Sequence, residues 1–192
     1  TYRSAVDLYE PMLATPVEQA LVVFAIGSYA SLPHLPQERR ELALGTFREL
    51  MLELAEVDPA ESDPLHDLPA CALIVYAISA QPSFAGGTET VIHRLFVEAA
   101  KKVIASFEPG LGFVQRTDDG APPRMIGSHA QAILAGAMAR LLTMNSVKFE
   151  IVPKPDPALV RQALDEAWRS LPPAQQVGLL PWIGWGETDW AA

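Results

Sequence analysis

Ala20-Leu21-Val22-Val23-Phe24-Ala25-Ile26 aligns without a gap to Ala72-Leu73-Ile74-Val75-Tyr76-Ala77-Ile78. Ala132-Ile133-Leu134-Ala135-Gly136-Ala137-Met138 fits the same pattern a third time, more loosely. The copies start at residues 20, 72 and 132, so they recur after 52 and then 60 residues, each the length of one helical hairpin with its loops. A period of this size signals stacked supersecondary units.

The flanking sequence turns each copy into a helix. Thr15-Pro16-Val17-Glu18 is a capping box with proline at the first helical position, and Pro33 stops that helix after about Ala30. Asp67 reads as the N-cap of the second copy, which runs to Ala80 before Pro82. The third copy spans Ser128 to about Met144. Between them lie helices of another kind. From Pro36 to about Val57, Leu42, Phe47, Leu50, Met51 and Leu54 share one side and charged residues the other. From Thr88, the residues Val91, Leu95, Ala99, Val103 and Phe107 recur every fourth position until Pro109-Gly110. From Pro157 to Leu171, Arg161, Asp165, Glu166 and Arg169 point outward and Trp168 inward. A glycine- and proline-bearing loop covers residues 108–126, and Val147–Val152 reads as a short extended stretch.

Helices one, three and five are apolar all round; helices two, four and six are one-faced. A helix apolar on every side has to be surrounded by protein, and a one-faced helix lies outside. The expectation is an all-α fold of antiparallel hairpins, about 15–57, 67–107 and 128–171, in inner and outer layers. The layers form an α/α-toroid-like arc; the alternative is an irregular six-helix bundle. Residues 1–192 form a single domain, with a tryptophan-rich cap over 172–192.

Composition narrows the function classes. Hydrophobic residues make up 49% and charged residues 19% of 192, as in a globular domain. The net charge of −9 speaks against nucleic acid as partner, because phosphate binding needs a basic surface. Cys71 is the single cysteine, so no intrachain disulfide forms. No uninterrupted run of about 18 apolar residues is present, so no membrane span is expected. The compartment stays open between cytoplasmic and exported.

Asp67-Leu68-Pro69-Ala70-Cys71-Ala72-Leu73 and Gly110-Leu111-Gly112-Phe113 resemble the repeat of the terpenoid cyclase and protein prenyltransferase toroid superfamily. Its inner helices often open with Asp, and its repeats carry a glycine/aromatic turn. The resemblance covers roughly residues 15–145 and implies a fold element. Cyclases of that class hold an Asp-x-Asp-Asp acid motif where this chain has Asp67-Leu68-Pro69-Ala70, so two of three acids are missing. The prenyltransferases bind zinc through Asp, Cys and His; Asp67, Cys71 and His129 take those roles here, with Asp67 and Cys71 four apart rather than two. A full toroid needs about six hairpins, and this chain supplies three.

Several side chains are candidates for chemistry, each with a plainer reading. Asp67 and His129 are the candidate catalytic groups at the rim of the inner helices; plainly, Asp67 caps a helix and His129 caps or packs a loop. His66-Asp67 are adjacent and so do not face one way on a helix. Arg116 and Arg124 flank Asp118-Asp119-Gly120 and could hold an anion, or form a solvated turn. Trp182, Trp185 and Trp190 are either a stacking platform or a plug over the end of the arc. Such an arc has two ends that need caps.

No phosphate loop, zinc-helix motif, nucleophile elbow or calcium loop is present, and no cofactor is expected. The expected role is a non-catalytic helical-repeat scaffold or interaction domain, working with a protein partner or the remainder of a longer chain. The alternative is a toroid-type enzyme or binding protein for an isoprenoid-like apolar ligand, with Ala25, Gly27, Ala77, Ala135 and Gly136 leaving room between inner helices. A carbohydrate-active α/α barrel fits less well, for lack of paired inner acids.

Overall fold

A computed structural model of the chain describes residues 15–56, 64–81, 90–116, 122–144 and 154–172. The fold is all-α, with a small three-stranded sheet inserted. Helix α1 (Pro16–Ala30) opens on the expected capping box: the Glu18 carboxylate accepts the Thr15 N–H at 2.7 Å, and Thr15 Oγ1 accepts the Glu18 N–H at 3.3 Å. That backbone hydrogen bond, with help from the Thr15 hydroxyl, holds the Glu18 carboxyl below its usual range.

Helix α2 (Gln37–Glu56) turns back along α1, with Arg40 Nη2 donating to the Leu32 carbonyl at 2.9 Å across the loop. A 3-10 turn (Pro64–His66) leads into α3 (Leu68–Ser79), and Asp67 accepts the Ala70 N–H at 3.1 Å as its N-cap. Then come α4 (Thr90–Ala105), α5 (Ser128–Thr143) and α6 (Pro157–Ser170), the last capped by Asp156 on the Ala158 N–H at 2.8 Å. The stretch 147–152 and the tryptophans Trp182, Trp185 and Trp190 lie outside the described residues.

Each odd helix packs on the even helix that follows it, and α3 also packs between α1 and α5. Helices α1, α3 and α5 therefore stand in one row, α2 touches α4 as well as α1, and α6 packs on α5. Helix α3 is the centre of the core: nine of its residues are buried, with Ala70, Ile74, Val75 and Ala77 at 0% exposure.

Three expectations need correction. Leu42 does not join the apolar face of α2 and is 73% exposed. The buried face follows Ala43, Phe47, Met51 and Leu54, one residue further round the helix. Val91 is likewise exposed on α4, where Ile92, Phe96 and Ala99 take the core positions. Most important, α1 is not surrounded. Ala20, Val23, Gly27 and Ala30 are buried, but Leu21 and Val22 remain about half exposed, with Tyr29 at 41%. Among the described residues α1 packs on α2 and α3, so its far side has no neighbour to bury it.

The loop 108–126 is not irregular throughout. Strands β1 (Phe107–Glu108), β2 (Gly112–Gln115) and β3 (Arg124–Met125) pair antiparallel in that order. The register sets Phe107 against Phe113 and Val114 against Met125. Glu108-Pro109-Gly110-Leu111 makes the first turn, closed by the Leu111 N–H on the Glu108 carbonyl at 3.0 Å. Gly110 has φ +87°, the left-handed conformation that the position after proline requires in a type II turn.

Candidate functional site

Three places on the surface are shaped to receive something: the end of the bundle around the hairpin, the cleft beside it, and the open side of α1.

The hairpin is fastened to the bundle by side-chain amides and a carboxylate. Gln131, buried on α5, accepts the Phe113 N–H through Oε1 and donates through Nε2 to the Phe113 carbonyl, both at 2.7 Å. Its amide thus serves as a strand partner for one residue. Gly112 is fitted to this clip twice over. Its φ is +77°, and a Cβ there would lie 2.7 Å from Gln131 Oε1. At the other end Glu166 of α6 accepts the Gly110 N–H at 2.9 Å, and Gln115 donates to the His66 carbonyl at 2.6 Å. The Phe107 and Phe113 rings pack beneath at a tilt of 54°, with centroids 5.2 Å apart.

Beside the hairpin, the turn before α3, the end of α4 and β2 enclose a cleft of about 460 Å³. Leu65, Leu68 and Val114 make its apolar wall, with His66, Lys102 and Arg116 at its polar edge. A second cleft, about 540 Å³, lies between the hairpin turn and the facing ends of α5 and α6, where Glu166 and Arg169 stand.

The residues singled out by sequence are mostly engaged in local structural contacts. Asp67 is engaged as the α3 cap. Cys71 is buried, with its thiol facing the carbonyls of Pro64 and Leu65 at 3.7 Å. His129 is exposed on the first turn of α5, whose N-cap is Gly127 without a side-chain cap bond. Among the described residues no three His, Cys, Asp or Glu side chains are grouped to hold a metal. Arg116 pairs with Glu108 through Nε at 3.1 Å and through Nη2. Arg124 is exposed on β3, and Asp118 and Asp119 lie outside the described residues, as do Trp182 and Trp185. Trp168 is half-buried on α6. Gln131 escaped the sequence reading, although an amide inside an otherwise apolar helix is the signal that could have found it.

The small residues between inner helices are in contact with neighbours. A Cβ at Gly27 would lie 2.9 Å from the Phe47 ring and 3.5 Å from the Ala77 carbonyl oxygen, while Ala77, Ala135 and Gly136 are buried. Ala25 does not face the interior; it is exposed.

The third place is the open side of α1. Ala25 lies four residues from Leu21, three from Val22 and four from Tyr29, so these residues form one stripe along the helix. Between α1 and α2 a groove of about 310 Å³ runs beside it, lined by Val22, Val23, Leu50 and Leu54 and edged by Glu18 and Glu53. No described helix is long and apolar enough to cross a membrane. Compared with family models, curated proteins and solved structures, the chain matches none.

Proposed function

We propose that the chain is a non-catalytic helical-repeat interaction domain that receives a partner on the open side of α1. The observation that supports this is the exposed apolar stripe Leu21–Val22–Ala25–Tyr29 with the groove alongside it. Soluble monomers seldom leave such a contiguous apolar strip wet, and where they do it marks a contact surface. The engagement of the Asp67 carboxylate supports the same reading. Catalysis needs free groups held within reach of one reacting centre, and Asp67 is committed to a helix cap. On this reading the inner and outer layers are the arc of a toroid-like repeat, used as a frame rather than as a reaction vessel.

The second reading is an isoprenoid-like ligand with an anionic head group. One observation favours it: the cleft of about 460 Å³ sets Lys102 and Arg116 beside an apolar wall. It lies at the end of the bundle and not between the inner helices.

Photo-crosslinking separates the two. A crosslinker at Val22 gives discrete adducts in cells producing the chain, and one at Leu42, which is exposed but off the stripe, gives none. Calorimetric titration with farnesyl diphosphate gives no saturable heat. No adduct from Val22, together with a one-to-one heat that Lys102→Ala removes, would replace the first reading by the second.

A further inference from the structure

The repeat itself identifies what belongs on the open face of α1. Carried over by the 52-residue offset, Ala25 and Tyr29 stand where Ala77 and Gln81 stand around α3. Those two residues face α1. The Ala77 carbonyl oxygen lies against Gly27, and Gln81 Nε2 donates to the Gly27 carbonyl and, at 2.8 Å, to Ser31 Oγ. Leu73 and Ile74, the counterparts of Leu21 and Val22, are buried. On α5 Leu134, Ala137 and Leu141, the counterparts of Val22, Ala25 and Tyr29, are buried as well, and Ile133, the counterpart of Leu21, is half-buried. The exposed face of α1 is therefore the counterpart of the face that α3 turns toward α1 and of a buried face on α5.

We infer that a second copy of this chain covers that face, α1 against α1 and antiparallel, about a two-fold axis at Ala25. The inference rests on the interaction-domain reading and names its partner. Three observations select the second copy. First, the face calls for an inner-type helix with small and aliphatic residues, and among the described residues α1 is the inner helix that still offers such a face. On helix α5 the fully exposed residues are His129, Arg140 and Thr143, with Ile133 and Leu142 half-buried, so head-to-tail stacking onto it finds less apolar surface than α1 offers. An isologous pairing needs one face only, and it closes.

Second, the stripe is self-complementary about its centre. Leu21 and Tyr29 lie four residues either side of Ala25, so antiparallel copies set Leu21 against the partner's Tyr29 twice over. The small Ala25 side chain lets the helices approach closely at the crossing. Third, residues 19–33 carry no Asp, Glu, Lys or Arg. In a chain of net charge −9 this face lets two like-charged copies meet without bringing charges together.

The test is site-directed disulfide formation with sedimentation. Helices crossing at about 8–10 Å, each with Cα atoms about 2.3 Å from its axis, bring facing Cα atoms to about 3.4–5.4 Å. That overlaps the disulfide range of about 4.4–6.8 Å. Ala25→Cys supplies the exposed thiol, because the native Cys71 is buried. Ala25→Cys oxidises to a covalent dimer at least tenfold faster than Leu42→Cys. The unaltered chain sediments as a dimer that dissociates on dilution, and Val22→Asp is monomeric with an unchanged unfolding midpoint in dilute solution.

Equal rates for the two cysteine variants, or a monomer at every concentration, overturn the inference. A monomer whose Ala25→Cys thiol reacts freely with a soluble reagent refutes the dimer alone and leaves the face open to another protein. A monomer whose thiol is protected shows the face covered from within the chain, by residues 1–14 or 173–192, and refutes the dimer and the interaction-domain reading together.

Discussion

Removing the Gln131 amide is the sharpest test of how the hairpin is held. In Gln131→Ala the Phe113 N–H and carbonyl both lose their partner, at a residue with 0% exposure. A buried polar group left unsatisfied costs about 1–3 kcal/mol, so two should cost about 2–6 kcal/mol together. In a domain whose whole stability is about 5–15 kcal/mol that is a large loss. At roughly 2–4 °C per kcal/mol for a chain of this size, a loss of about 3 kcal/mol lowers the midpoint by about 6–12 °C. Urea unfolding by circular dichroism measures the change, and hydrogen exchange at the Phe113 amide shows where it arises.

Gly112→Ala provides an internal control. Alone it carries both the left-handed strain at φ +77° and the 2.7 Å approach to Gln131 Oε1. In the Gln131→Ala background the clash is gone and about 1–2 kcal/mol of backbone strain remains. The two costs should therefore add to less than their sum. A Gln131→Ala loss below about 1 kcal/mol with the Phe113 amide still protected would refute the reasoning, since it would mean that water satisfies the strand as well as the amide does.

Two glycines in the first hairpin should respond with opposite signs. Gly27→Ala drives a methyl to 2.9 Å from the buried Phe47 ring and loses about 1–2 kcal/mol in chemical denaturation, whereas Gly45→Ala meets nothing within 4 Å and gains about 0.5–1 kcal/mol of helix stability. At the start of α3, Asp67→Ala loses about 1 kcal/mol of cap energy and Asp67→Asn keeps most of it; a protein that Asp67→Asn destabilised as much as Asp67→Ala would show that the carboxylate acts as more than a cap. Alkaline pH should destabilise the fold through Tyr76. Burial raises its phenol above the usual value of 10, against a smaller lowering by Arg140, so the folded state keeps its proton longer than the unfolded state does. Stability is complete below pH 10 and falls above it by up to about 1.4 kcal/mol per pH unit, a slope that Tyr76→Phe removes in pH-dependent urea titrations.

The helices were legible because their signals are local. Thr15, Asp67 and Pro157 mark starts through the backbone groups they satisfy or spare, and the stop before Pro33 follows from the ring that cannot continue a helix. The sheet was hidden by the same periodicity that made α4 plain. Phe107 continues the four-residue stripe through Val103, yet it belongs to β1, because the glycines at 110 and 112 permit a turn that folds Phe113 back onto it. The role of Gln131 was hidden for a different reason, although an amide in an apolar helix marks the residue itself. What its amide pairs with is a backbone 18 residues away, and no window around α5 contains that partner.

The open side of α1 shows most plainly what a sequence repeat leaves undetermined. Residues 20–26 and 72–78 are near copies, so any scale of hydrophobicity assigns them the same burial. Yet Val22 is half exposed and its counterpart Ile74 is at 0%. Among the described residues the difference lies in the number of neighbours: α3 has α1 on one flank and α5 on the other, while α1 has α3 on one flank alone. An inner-type sequence at the end of a row is thus a surface written as a core. A natural sequence that keeps Leu21, Val22 and Tyr29 there, with no charge from residue 19 to residue 33, lacks the Lys or Glu that ordinarily guards an unpaired apolar edge against association. The absence of that guard is the reason to look for the partner on α1 before looking for a substrate beside Asp67 or His129.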